Sequence, residues 1–205
     1  MRVRFKPTAR DRILDAATSV LADRGYQSAN LDAIIALSRT SKGSFYFHFP
    51  SKERMVLALV DQLSERLVQK IEQSLEKETR PLHRIAAASD TLLHTFSRQR
   101  RLAQTLLFNL VGQGKTMDKK FMPVRDRFAT LIQRELDRAV AAGAVPPLDT
   151  TLAARMWLGA LHEVLLQWLL ADRPRPMAAI IPGVRSLLLR SVGVDPAALG
   201  VEPAP

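Results

Sequence analysis

Cysteine is absent from the 205 residues. That excludes disulfides, thiolate metal sites and cysteine nucleophiles, and it agrees with a reducing cytoplasm. A glycine-rich phosphate loop is also missing, and no Ser-His-Asp context can be placed. The four histidines, His48, His83, His94 and His162, show no metal-ligand spacing with carboxylates. His162 and Glu163 are neighbours, so on a helix they point about 100° apart and make a poor catalytic pair. Long apolar runs are lacking too. The longest, Leu152–Leu170, contains Arg155, His162, Glu163 and Gln167, and so reads as a buried helix and not a membrane span. The opening MRVRFKPTARDR is polar and has no signal-peptide core. No strand alternation and no internal repeat is visible. A cytoplasmic, all-α protein without enzyme activity, metal or cofactor is expected.

What is present in excess is positive charge. Thirty lysines and arginines face twenty acidic residues, for a formal charge of +10 and a pI of 10.6. So basic a chain suits a polyanionic partner. Half of the excess, +5, lies in residues 1–52, which favours a local footprint over a generally basic surface.

The apolar spacing is helical almost throughout. Near Thr8 a helix begins with Ile13, Leu14, Ala17, Val20 and Leu21 on one stripe, and Gly25 ends it. Asn30 is an N-cap for a short helix over Leu31–Leu37, and Ser41 caps another over Lys42–Phe47. Pro50 stops that one. Ser51 then caps a long helix reaching about Glu78, with Met55, Leu59, Leu63, Leu67 and Ile71 repeating on one face. Pro81 opens a second region with helices at about 82–98, 101–112, 118–142, 149–171 and 177–192. Pro182-Gly183 weakens the start of the last, which has a second possible start there. Asp195–Pro205 holds three prolines and reads as a flexible tail. The domains expected are 1–52, joined through the 51–78 helix to a second domain over 53–194.

Asn30 to Lys52 has the layout of a helix-turn-helix, which presents its second helix to the major groove of duplex DNA. Ser41, Lys42, Gly43 and Ser44 form the start of that helix, where backbone N–H groups favour phosphate and Gly43 permits close approach. Phe45 and Phe49 lie four apart and should pack inward. Tyr46 and His48 lie off that face, with polar tips suited to phosphate oxygens, and Lys52 adds a charge. The aromatic run also reads, more plainly, as a core cluster.

Residues 8–57 resemble the DNA-binding domain of the TetR/AcrR family of transcriptional regulators. The matching residues are Ile13-Leu14-Asp15-Ala16-Ala17, Gly25-Tyr26, Ile34, Ser41-Lys42-Gly43-Ser44-Phe45-Tyr46, His48-Phe49 and Ser51-Lys52-Glu53. The resemblance implies a nine-helix homodimer. Its first three helices bind double-stranded operator DNA; the remainder binds a small effector and dimerises through the last two helices. DNA-binding residues are then Asn30, Arg39, Thr40, Ser41, Lys42, Gly43, Ser44, Tyr46, His48 and Lys52. One departure stands out. The family places alanine-glycine in the turn between the short helices, and here the pair is Ser38-Arg39. Arginine is unfavourable where φ is positive. Either the turn differs, or Arg39 points at the DNA backbone, or it is a strained turn with a solvated side chain.

In the second region the resemblance is one of helical layout. Leu106-Leu107-Phe108-Asn109 and Trp157-Leu158-Gly159-Ala160, with Glu163 and Trp168, are similar to regulators of fatty-acid and aromatic-acid degradation that respond to acyl-CoA thioesters. On residue chemistry alone, apolar walls with a few polar groups build a ligand pocket. Leu106, Phe108, Asn109, Phe128, Met156, Trp157, His162, Glu163 and Gln167 are its expected lining. His162 and Gln167 equally read as core polar groups that satisfy each other. Gly159 and Ala160, with Val184, Leu187 and Leu188 of the last helix, are expected at a dimer seam. A repressor released by an acyl-CoA is the main reading. The alternatives are a constitutive DNA-binding protein, which would have no cavity, and an efflux regulator responding to apolar cations through Glu163 and Trp168.

Overall fold

The structure is a computed structural model that describes residues 7–110 and 115–199, the side chains of 107–110 and 115–120 excepted. The described residues form nine α-helices and a short 3-10 turn: α1 (Ala9–Ser28), α2 (Leu31–Ser38), α3 (Lys42–His48), α4 (Lys52–Leu75), α5 (Pro81–Arg98), α6 (Arg100–Leu110), α7 (Lys115–Ala141), α8 (Thr150–Leu170), α9 (Met177–Ser191) and the turn Pro196–Leu199. They divide into two compact units. One comprises 1–64 and 101–120, and the other 65–100 and 121–205. The first is larger than the expected 1–52, because it takes in the start of α4 and most of α6.

Short polar side chains set the helix starts. Thr8 and Asp11 form a capping box: the Asp11 N–H donates to Thr8 Oγ1 (3.2 Å) and the Thr8 N–H to Asp11 Oδ2 (3.0 Å). Asn30, Ser41, Ser51 and Asp149 accept backbone N–H groups from Asp32, Ser44, Arg54 and Leu152. Gly25 breaks the regular path of α1 with φ 72° and ψ 175°, a region open essentially to glycine, and helical backbone resumes to Ser28.

In the first unit Ile13, Leu14, Leu21, Ile34, Phe45 and Met55 are fully buried. The Thr105 hydroxyl of α6 donates to the Leu21 carbonyl at 3.1 Å, which explains why α6 belongs here. Helix α9 starts at Met177, not at Pro182. Pro182 removes one helical hydrogen bond, but buried Met177 and Ile181 anchor the turns around it. Nor is the stretch after Asp195 loose at its start, since Pro196 and Leu199 are buried in their turn. Residues 200–205 lie outside the described residues.

Among the described residues of the second unit one charged side chain is deeply buried, Glu135 of α7. The Arg84 guanidinium of α5 grips its carboxylate with Nε at 2.7 Å from Oε2 and Nη2 at 3.3 Å from Oε1. Arg138 and Arg134 add contacts at 2.9 and 3.3 Å. Arg84 Nη1 also donates to the carbonyls of Leu75 (2.6 Å), the last residue of α4, and Glu78 (3.1 Å), just beyond it; the Leu75 carbonyl also accepts the Glu78 N–H at 3.1 Å. Burial alone would raise the Glu135 pKa, but the hydrogen bonds and charge of Arg84, with Arg138 and Arg134, outweigh it and hold the carboxyl below its ordinary range.

A lowered folded-state pKa adds stability above the unfolded value, and that stability is lost as pH falls through the folded one. Glu135→Gln should therefore cost about 3 kcal/mol or more at neutral pH, because three arginines lose a buried partner. Urea unfolding should show a lower midpoint. The gap between wild type and variant should narrow below about pH 4. A constant gap across that window would contradict this assignment.

Candidate nucleic-acid interface and effector cavity

The turn between α2 and α3 keeps, at Ser38-Arg39, the backbone that glycine would supply. Arg39 takes the left-handed conformation, φ 53° and ψ 43°, that a glycine would supply. Its N–H donates to the Ala36 carbonyl (3.1 Å) and that of Thr40 to the Ile35 carbonyl (3.3 Å), closing α2. Ser38 is buried beneath. Its hydroxyl donates to the Ile35 carbonyl at 2.9 Å and lies 2.7 Å from Thr40 Oγ1. Arg12 Nε of α1 donates to the Ser38 carbonyl at 3.2 Å and ties the turn to the first helix. The Arg39 side chain is exposed.

On α3, Phe45 and Phe49 are buried as their spacing predicts. Ser41, Lys42, Gly43, Tyr46 and Phe47 are exposed, and Thr40, Ser44 and His48 are half-buried. The helix therefore presents one arc of mixed chemistry outward. Asn30, also exposed, spends its side-chain oxygen on capping α2. Lys52 has a structural job: its Nζ donates to the Tyr26 carbonyl at 2.5 Å and stands 4.6 Å from the Tyr26 ring centre. Burial lowers its pKa. Lys52 thus braces the start of α4 against the end of α1. Phe47, 84% exposed, was missed by sequence reasoning. Its place between the inward Phe45 and Phe49, which turns it outward on a helix, was the available signal of that exposure.

The second unit contains a small, partly open cavity of about 30 Å³, room for a single water. Ile71 of α4, Ile85 and Ser89 of α5, Phe128 and Glu135 of α7, and Trp157 of α8 are among its walls. Phe128 and Trp157 were expected there. Met156, Glu163 and Gln167 are corrections. Trp157 and Leu161 face inward, so at 3.6 residues per turn the other three fall on the exposed side of α8. Gln167 Nε2 donates to Glu163 Oε1 at 2.8 Å, and both border an open groove of about 450 Å³ beside Trp168 and Ile180. His162 is half-buried, and its pKa is lowered by that burial and by Arg125 against the opposing pull of Glu163. Leu106 belongs to the first unit and does not line the cavity. The side chains of Phe108 and Asn109 lie outside the described residues. Glu135 and Ser89 were missed because their helices read as charged or polar at those positions.

Val184 and Leu188 are also corrected as dimer residues: both are buried in the chain's own core, on the Met177–Ile181–Val184–Leu188 stripe of α9. Leu187 is 71% exposed, Ala160 is exposed and Gly159 half-buried. Leu152, Met156 and Leu170 are exposed along α8, so an apolar face runs over both helices. Trp168, where an apolar cation was considered above, already holds a cation of the chain itself. Arg100 stacks 5.3 Å from its centre, and its indole N–H donates to the Arg175 carbonyl at 2.8 Å. Among the described residues no helix is long and apolar enough to cross a membrane, and no three His, Asp or Glu residues are placed to hold a metal ion.

Comparison with known proteins bears on both units. The family described as bacterial regulatory proteins, tetR family, matches residues 13–59, and that described as YsiA-like protein, C-terminal region, matches 57–191. The chain is 20% identical to the fatty acid metabolism regulator protein of Bacillus subtilis (strain 168) over 182 residues, 88% of this chain and 94% of that one. It is 23% identical to the HTH-type transcriptional regulator UidR of Escherichia coli (strain K12) over 192 residues, 92% and 94% of the two chains. Among solved structures it is similar to the fatty acid degradation regulator FadR from Bacillus halodurans, with a TM-score of 0.78 and 26% identity over 87% of this chain and 96% of that one. FadR from Bacillus subtilis in complex with stearoyl-CoA gives a TM-score of 0.78 at 20% identity, over 86% and 96%.

The left-handed Arg39 yields a two-part expectation. Arg39→Gly should relieve up to about 1 kcal/mol of backbone strain and raise the Tm by about 2–4 °C. If the guanidinium meets phosphate, the same change weakens all duplexes alike and reduces the salt slope of binding by about one. Thermal unfolding and titrations at several salt concentrations measure the two effects separately. An unchanged slope would assign the side chain to solvent.

Proposed function

Because this chain belongs to the tetR family of bacterial regulatory proteins, we propose that it is a cytoplasmic repressor that binds an operator through α3 and leaves it when an acyl-CoA occupies the second unit. The observation that carries the DNA half is the outward arc of α3, Lys42, Gly43, Tyr46 and Phe47, within residues 1–52, which hold half the excess positive charge. The effector half is supported by the apolar cavity with Glu135 and Ser89 at its edge, and by the stearoyl-CoA held by a protein of the same fold.

The cavity as it stands is far too small for an acyl chain. A ligand must therefore part Phe128, Trp157 and their neighbours, and it acts by preferring that opened state. Ile71 belongs to both the cavity wall and α4, the helix that starts directly after α3 at Lys52. Displacement of α4 at Ile71 is the simplest route by which occupancy would alter the spacing of two recognition helices in a dimer, which must match about 34–36 Å for one turn of DNA. The closed packing favours the constitutive alternative, and a ligand experiment separates the two.

Operator DNA enriched with the purified chain should bind with an affinity that falls by orders of magnitude between about 50 and 200 mM salt. Palmitoyl- or stearoyl-CoA should release it and raise the Tm, by the equivalent of about 2.7 kcal/mol at a hundredfold excess over Kd. Free CoA should do neither. Binding and Tm both untouched by acyl-CoAs would reject the effector and leave the regulator.

The exposed face of α8 and α9 is the proposed dimer seam, with Leu152, Met156, Leu170 and Leu187 paired across a two-fold axis. Leu187→Glu should give monomers in sedimentation and abolish operator binding without loss of helicity. A wild type that sediments as a monomer at micromolar concentration would rule the seam out.

A further inference from the structure

Phe47 is the most exposed large apolar side chain of the described residues, at 84%, and it sits on α3. Phe45 and Phe49 flank it and are buried, so helical geometry turns Phe47 away from the core that they form. Its ring meets only the edge of His48, 5.1 Å between centres, among the ring contacts of the described residues. Gly43 lies one turn before it. A Cβ placed on Gly43 would meet nothing closer than Ser41 Oγ at 3.9 Å, so the surface beside the phenyl is an open notch.

The arc divides its chemistry. Lys42 donates hydrogen bonds, and the Tyr46 hydroxyl donates or accepts them. Phe47 can do neither. Of the groups on base edges in the major groove, the thymine methyl is the apolar one, and contact with it is how a phenyl reads sequence. We propose that Phe47 is a specificity-determining residue that packs against a thymine C5-methyl in each half-site, with the Gly43 notch admitting the base edge. This rests on the reading that α3 enters the major groove. Lys42 and Phe47 are about 7.5 Å apart along the helix axis, so the thymine falls about two base pairs from the position that Lys42 addresses.

The test replaces thymine by deoxyuridine, which removes the methyl and nothing else, at each thymine of an operator enriched with the full-length chain. For wild type, one position per half-site should lose about three- to fivefold in affinity, the worth of one buried methyl group. Phe47→Ala, which alters an exposed side chain and should leave the Tm unchanged, should bind the thymine operator less tightly by a similar factor and no longer distinguish uracil at that position. Equal thymine-to-uracil losses in wild type and variant overturn the proposal. So does a loss in Phe47→Ala that is uniform over all sequences, which would put the ring on the sugar-phosphate backbone. Failure of wild type to enrich any sequence rejects the groove reading itself, and this proposal with it.

Discussion

Arg84 reaches from the first turn of α5 to two structures at once. One nitrogen closes the carbonyls of Leu75 and Glu78 at the end of α4, and the other two hold Glu135 on α7. Each partner needs it. The end of α4 carries partial negative charge, and its Leu75 carbonyl, which accepts the Glu78 N–H, has a second lone pair to offer. A carboxylate as buried as Glu135 is tolerable only when paired. Because Ile71, Ile85 and Glu135 all line the same cavity, the ion pair also fixes where that cavity can widen. Any ligand that spreads α5 from α7 works against the Arg84–Glu135 bonds, whereas one that spreads α8 from them does not.

The first unit depends on a smaller device of the same kind. Arg12 binds the carbonyl of Ser38, and Ser38 is buried under the turn. The turn is thereby held in the shape that delivers α3 to the surface although the glycine it would prefer is missing. Stability is given up at Arg39 and recovered through side-chain hydrogen bonds nearby.

The caps at Thr8, Asn30, Ser41 and Ser51, the inward Phe45 and Phe49, and the order of helices were legible in the sequence, because they are set by neighbours within a few residues. The second unit was less so. Helix α8 is apolar on nearly every side, since one face packs on its own core and another carries exposed Leu152, Met156 and Leu170. Periodicity then cannot say which face points inward, and Met156, Glu163 and Gln167 were put on the wrong one. Val184 and Leu188 on α9, which pack in the chain's own core, were grouped with the exposed Leu187 for the same reason. Glu135 and Arg84 are 51 residues apart, and neither shows the pairing in its local pattern. The bond from Lys52 to the Tyr26 carbonyl was not legible, because the partner is a backbone atom 26 residues away.

A cavity that holds one water carries a kinetic meaning. A site open to solvent fills at a rate set by collision, and the rate climbs with ligand concentration. A site with room for one water, walled by Phe128 and Trp157 among others, takes an acyl chain only when its walls part, so uptake would level off at the frequency of that opening. Helix and side-chain rearrangements of this kind run on microsecond-to-millisecond scales or slower. By the same token a captured ligand would leave slowly, and the regulator's response would average over brief pulses of its effector.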